Sequence, residues 1–278
     1  MEIESHHPLS SMLSCCNRVA AGVTPSEKSM NGLCDDDDVI THVGHNGKGS
    51  LVYRFVTRAG LNDGKIEAWH PTTGGYQLSE PWKGGKLHGV RATWHPSGHV
   101  ESAVEYVDDK KQGDAWVCYD DEKNSRRHHV KWKNGKRYGT ATSWHPNGIL
   151  RRKVEYVDGK KSGDEWFYYD DENPQSYQYW VNGKQDGTST SWYRSGRVER
   201  TEEWLDGQPN GIHIQHYDLE SPFEMIMETY RCGLLHGSRW VNYRGDQRER
   251  VENWKDGKRH GTFEKYHPNR QRSSARVY

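Results

Sequence analysis

Sixteen histidines, two acidic triplets and two lysine pairs are the residues whose type could do chemistry in this chain of 278 residues. A zinc site needs three or four ligands converging on one point. His95, His145 and His267 stand at corresponding places, each between an aromatic residue and a proline. His88, His236 and His260 each precede a glycine. To bind metal, either set would need ligands from successive segments to meet, and the first set skips alternate segments. Both sets therefore read as structural turn histidines. The pairs His6-His7 and His128-His129 lack a third ligand at suitable spacing. No metal or cofactor is expected.

Asp120-Asp121-Glu122 and Asp170-Asp171-Glu172 occupy matching places, with a weaker copy at Asp218-Leu219-Glu220. They could rim a basic partner or calcium, but the EF-hand ligand pattern is absent, so they read as solvated turns. Lys110-Lys111 and Lys160-Lys161, with Arg137 and Arg259, put positive charge at another set of turns. Such an edge could touch phosphoinositide head groups, and edge lysines also discourage sheet-to-sheet pairing. With 39 basic and 39 acidic residues there is no overall field for nucleic acid, and none is expected as a partner. The five cysteines are Cys15, Cys16, Cys34, Cys118 and Cys232. They form no CxxC and suggest neither a disulfide framework nor a zinc site. Ser14-Cys15-Cys16 is a conceivable acylation site without an accompanying lipidation motif. No P-loop, GxGxxG, GxSxG or HExxH occurs, and an enzyme is not expected.

What positions these residues is a repeat. Gly-Lys-x-x-Gly elements, strict or loose, close at Gly89, Gly113, Gly139, Gly163, Gly187, Gly211, Gly237 and Gly261, in steps of 24 or 26 residues. An aromatic precedes each element by three residues: Trp82, Tyr106, Trp132, Tyr156, Trp180, Trp204, Tyr230 and Trp254. Units alternate in type. Trp94-His95-Pro96-Ser97-Gly98 and Trp144-His145-Pro146-Asn147-Gly148 represent one type, and the segments ending in the two acidic triplets the other. The larger repeat is thus a duplex of about 48–50 residues.

Stretches such as Thr140-Ala141-Thr142-Ser143-Trp144 alternate with the period of a half-buried strand. Asn147-Gly148 or Ser97-Gly98 would turn the chain, Asn-Gly supplying the positive φ angles of a tight hairpin. The next Asp/Asn-Gly-Lys turns it again. The expected fold is all-β: an elongated repeat array of antiparallel hairpins in a single-layer twisted meander, without long helices. Apolar residues are only 32% of the chain and mean hydropathy is −1.11. Twelve Trp and sixteen Tyr suit such a thin sheet, because each ring buries a large area and keeps a polar edge. Residues 1–45 read as a flexible arm, 46–80 as degenerate capping repeats, and 81–278 as about eight 24-residue units. Two-residue insertions fall near 120–128 and 218–226. The second holds Phe223, Met225 and Ile226, the best local candidate for a docking loop.

The series Gly-Lys-x-x-Gly, Trp/Tyr, Asn-Gly, Glu-Tyr/Trp-x-Asp-Gly-Lys resembles MORN repeats. It is closer to the variant repeats of YwqK-type antitoxins than to those of junctophilins. The resemblance covers residues 80–278 strongly and 46–80 weakly. It implies grooved single-layer sheets that serve in protein interaction or assembly and sometimes at membranes, with no shared catalytic residue. A non-enzymatic interaction scaffold is therefore expected, with one or more protein partners and possible homodimers. A membrane-associated module and an antitoxin-like inhibitor are the alternatives. With no basic leader and no long apolar run, a soluble intracellular protein is expected.

Overall fold

The computed structural model describes residues 39–218, 225–243 and 247–278. Among them are 26 strands and no helix, and the paired strands run antiparallel. The chain divides into two compact units, residues 1–138 and 139–278. Within each unit, strands pair with strands adjacent in the chain. In the first, Leu51–Arg58 lies between Val39–His45 and Gly64–Trp69. In the second, Pro174–Val181 lies between Lys160–Tyr168 and Gly187–Trp192. Each unit is thus an all-β hairpin meander.

Two kinds of turn alternate. The first is a two-residue hairpin with both residues left-handed: Asn134-Gly135 (φ 50° and 77°), Asp158-Gly159 (50° and 83°), Asn182-Gly183 (50° and 84°) and Asp206-Gly207 (52° and 80°). This is the type I′ signature, which matches strand twist and favours Asn or Asp before Gly. The second is a longer loop in which Gly148 N donates to His145 O and His145 N donates to Ile149 O. Here Gly148 is left-handed (φ 85°) and Asn147 is not. The Asn-Gly at 147–148 therefore does not form the tight hairpin expected of it. It closes a type I turn, and the tight I′ turns sit at the Asp/Asn-Gly-Lys elements. The acidic triplet at 120–122 lies in a longer loop, where Tyr119 N donates to Ser125 O, Asn124 N donates to Asp121 O and Asn124 (φ 50°) is left-handed, whereas the triplet at 170–172 turns in the same way as the Pro-Asn-Gly segments. Glu172 (φ 70°) takes the left-handed place that Gly148 holds in the preceding unit.

Strand formation starts earlier than the expected arm boundary at residue 45. Val39–His45 pairs along its length with Leu51–Arg58. His42 stacks on Phe55 at 4.3 Å between ring centroids, and Nε2 of the same ring lies 3.1 Å from Thr57 Oγ1. The remainder of the arm, with Cys15, Cys16 and Cys34, lies outside the described residues. Residues 46–80 carry the full turn pattern, since Ala59-Gly60 is left-handed at both positions and Gly64 pairs with Trp82.

The core is thin. In the first unit it comprises Ala92, Val100, Ala103, Val104 and Cys118; in the second, Val154, Tyr156 and Val241. Several buried residues are polar, among them Glu165, Ser143, Ser189 and Glu252.

Candidate interaction face

The two sequence markers meet across strands. Gly89 pairs with Tyr106, Gly113 with Trp132, Gly139 with Tyr156, Gly163 with Trp180, Gly187 with Trp204, Gly211 with Tyr230 and Gly237 with Trp254. At the last closing glycine, Gly261 exchanges backbone hydrogen bonds with Tyr278. Each closing glycine has positive φ, and at some of them an added Cβ would also be crowded. At Gly211 it would lie 2.9 Å from Glu203 Cβ, and at Gly89 3.0 Å from Pro81 Cγ. The glycine admits the bulge, and the bare backbone faces an aromatic ring. None of the eight marker aromatics is exposed; all are half-buried, or buried in the case of Tyr156.

Residues 137–158 match the family model described as MORN repeat variant. That stretch is a MORN repeat variant. The matched stretch contains one closing glycine, Gly139, and the aromatic it faces, Tyr156. No curated protein matches the chain.

Side chains alternate between faces along a strand. Each unit therefore places its marker aromatic, and the residues two and four positions from it, on one face. In the second unit this face carries a row of charge. Ser189 pairs with Glu202, His213 with Glu228 and Arg239 with Glu252. Arg239 bridges Glu228 (2.6 Å) and Glu252 (3.1 Å), and Arg200 holds Glu202 at 3.0 Å. Burial alone would resist ionisation of Glu228. Hydrogen bonds from Arg239 and Tyr230 outweigh it and hold the carboxyl below the usual glutamate range. Burial, with the hydrogen bond to Glu228, pushes the Tyr230 hydroxyl up to about 12. Glu165 is wholly buried and accepts from Arg152 Nε and Lys161 Nζ, both at 2.7 Å.

A recess of about 370 Å³ opens on this face, lined in part by Trp204, Pro209, His213, Gln215, Glu228 and Tyr230. His213 lies between the Trp204 and Tyr230 rings, with centroids at 5.7 and 4.7 Å. Its Nε2 donates to Glu203 O at 2.8 Å. Trp204 is fixed by an indole hydrogen bond to Ser189 Oγ. By contrast, the indole nitrogens of Trp82, Trp132 and Trp180 are buried without a protein acceptor, so the polar edge expected of every ring is not used at those three.

The histidines brace neighbouring repeats. His70 Nε2 donates to Trp94 O (3.0 Å), His95 to Cys118 O (3.4 Å) and His145 to Tyr168 O (2.9 Å). Where histidine is missing, tyrosine takes over: the hydroxyls of Tyr169 and Tyr193 donate to Trp192 O and His216 O, each at 2.8 Å. Among the described residues no cluster of three His, Cys, Asp or Glu could hold a metal. The acidic turns are occupied as well. Asp120 accepts from Ser97 and His99, which hold its carboxyl below the usual range. Arg194 bonds both Asp170 and Asp171.

The lysine edge divides in two. Lys111 and Lys161 turn onto the marker face, their ammonium groups over Trp132 (4.6 Å) and Trp180 (4.1 Å). Lys160 and Lys184 stay exposed, paired across the I′ turns with Val157 and Val181. Met225 and Ile226 belong to the strand Met225–Arg231, paired with His216 and Gln215. They are ladder residues where a loop was expected, because the hairpin pairing extends back to Met225, and Ile226 lines the recess. Phe223 lies outside the described residues. Among the described residues no helix is long and apolar enough to cross a membrane.

Proposed function

We propose that this chain is a non-enzymatic protein-interaction scaffold whose partner docks on the marker face of the second unit. The observation that carries the reading is the recess at Trp204, His213 and Tyr230. It is a concave spot with aromatic walls and a charged floor, set in a repeated surface whose other polar groups are largely tied to one another. Aromatic residues and arginine are the side chains that most often anchor protein interfaces. The test is affinity capture with the tagged full chain followed by mass spectrometry. A reproducible partner is expected, and it should be lost from a chain carrying Ile226→Arg, because Ile226 lines the recess and an arginine there would crowd it. Circular dichroism establishes that the variant folds. Absence of any reproducible partner, or one indifferent to the folded variant, counts against the proposal.

A second reading rests on the opposite side of the I′ turns. Val157 (62% exposed), Leu205 (55%) and Leu234 (50%) are unusually open for aliphatic residues, and Lys160 and Lys184 accompany them. Aliphatic and cationic side chains together suit an anionic membrane surface. Liposome flotation with and without anionic lipid tests this, and failure to float in both conditions ends it.

A further inference from the structure

We infer that the recess beside Trp204 takes a lysine side chain from a partner protein; the inference deepens the scaffold reading and rests on it. The repeat supplies the template. Lys161 is the second residue after the Asp158-Gly159 turn. Its ammonium lies 4.1 Å from the Trp180 ring centroid and 2.7 Å from Glu165 Oε2. Lys111, at the same place in its own repeat, lies 4.6 Å from the Trp132 centroid. An ammonium over an indole face is favourable, and a carboxylate beside it strengthens the site.

At the next two turns this position is filled differently. It is Gln185 after Asn182-Gly183 and Pro209 after Asp206-Gly207. The aromatics that would receive these side chains are Trp204 and Tyr230, which form the recess walls, and Pro209 lines it. The recess thus opens at two successive repeats whose position holds neither a cation, as at Lys111, Arg137, Lys161 and Arg259, nor the leucine found at Leu87 and Leu235.

The place of Glu165 is taken here by Ser189 and His213, and carboxylates enter the recess instead from the strands paired with them, at Glu202 and Glu228. Glu202 accepts from Arg200 (3.0 Å) and Ser189 (3.4 Å). Glu228 accepts from Arg239 (2.6 Å) and Tyr230 (2.8 Å). A carboxylate has about four acceptor positions, so each keeps capacity. Arg200 and Arg239 do not disqualify the site, because Glu165 holds both Arg152 and Lys161 at once. Each recess glutamate lacks the second cation that Glu165 has. His213 reinforces the gap: it occupies the row position that Arg239 fills one unit later. Its ring is held against Glu203 O and does not reach between Glu202 and Glu228 as a guanidinium would.

The experiment titrates the full chain with N-acetyl-lysine methylamide and follows the indole NMR signal of Trp204, assigned with Trp204→Phe. The glutamine and glutamate analogues are the controls. A saturable shift is expected with the lysine probe, at least fivefold weaker with the glutamine probe and absent with the glutamate probe. Pro209→Lys returns the missing ammonium within the chain and should weaken probe binding at least tenfold. Gln185→Lys serves the same purpose if the first variant fails to fold. Equal binding of the lysine and glutamine probes, preference for glutamate, no shift with any probe, or undiminished binding to a folded lysine variant each overturns the inference. If the captured partner still binds folded Pro209→Lys, the lysine pocket falls and the scaffold stands. If the probe binds but no partner is ever captured, the scaffold reading falls and the pocket remains.

Discussion

Glu165→Ala should destabilise the second unit by about 3 kcal/mol. Glu165 has 0% side-chain exposure and is gripped by Arg152 and Lys161. Removing one member of a buried ion pair costs about 3–5 kcal/mol, mostly because the remaining charge is left uncompensated. The lower end of that range applies, since Arg152 and Lys161 keep 31% and 27% exposure and can recover part of their hydration. Lys161 also retains the Trp180 ring. In a unit of this size, about 3 kcal/mol corresponds to a melting shift of roughly 12 °C, at roughly 4 °C per kcal/mol.

The control separates the cost of stranded cations from the cost of a cavity. Replacing Glu165, Arg152 and Lys161 together by methionine should restore most of the lost stability, because apolar replacement of a whole buried ionic group is often neutral or better. Urea unfolding followed by tryptophan fluorescence measures the change. Hydrogen exchange locates it, because repeat stability is a nearest-neighbour sum and the loss should concentrate in Leu150–Val157, Lys160–Tyr168 and Pro174–Val181. A loss below about 1 kcal/mol for the single variant, with unchanged exchange in those strands, would refute the reasoning. So would a triple variant no better than the single one.

Three further outcomes are expected. Gly211→Ala should cost about 2–3 kcal/mol by thermal melting, because φ is 111° and the new Cβ would lie 2.9 Å from Glu203 Cβ. Glu172→Gly and Arg270→Gly should each stabilise by about 0.5–1 kcal/mol in urea, since φ values of 70° and 66° burden a side chain and not a glycine. The gain stays small because glycine also loosens the unfolded chain. Finally, the Glu228 carboxyl sits below its ordinary value of 4.5 in the folded state. The unfolded chain therefore takes up that proton first, and the associated stability is present above about pH 4.5 and lost as pH falls through the folded value. Glu228→Gln should flatten the acid limb of a stability-versus-pH curve, and an unaltered limb would show that another carboxylate controls it.

The period, the glycines and the marker aromatics were legible in the sequence because each recurs at one fixed place per unit. Their pairing was not. Gly89 and Tyr106 are 17 residues apart, Gly113 and Trp132 are 19, and both pairs meet face to face. Register depends on how many residues each turn and bulge consumes, and that count cannot be read from the markers alone. The same limit misplaced the tight turn. Asn-Gly suits both the two-residue I′ hairpin and the end of a type I loop, and only the hydrogen bonds from Gly148 to His145 and from His145 to Ile149 separate them. The bracing histidines skip alternate units only in chemical identity. In space, a tyrosine hydroxyl at 169 or 193 reaches the carbonyl that an imidazole reaches elsewhere.

The recess was missed for a related reason, although its signal is present in the sequence. Reading the repeat for what recurs draws attention to the lysines and away from Gln185 and Pro209, where they stop. In a nearest-neighbour array each unit is a control for the next. A position filled by Lys111 and Lys161 on the marker face and then left without a cation marks a place where the surface has unspent capacity. Aromatic walls recur at Trp204 and Tyr230, and Glu202 and Glu228 line the same recess, while the lysine that covers Trp132 and Trp180 is absent. Stability favours filling such a gap from within the chain, as Lys161 does at Glu165. Leaving it open is useful to a scaffold only if the missing cation arrives on something else. Comparing the melting temperature of Pro209→Lys with that of the unaltered chain examines this directly: if the internal lysine adds stability, the natural proline forgoes it at the one face where a partner is proposed to dock.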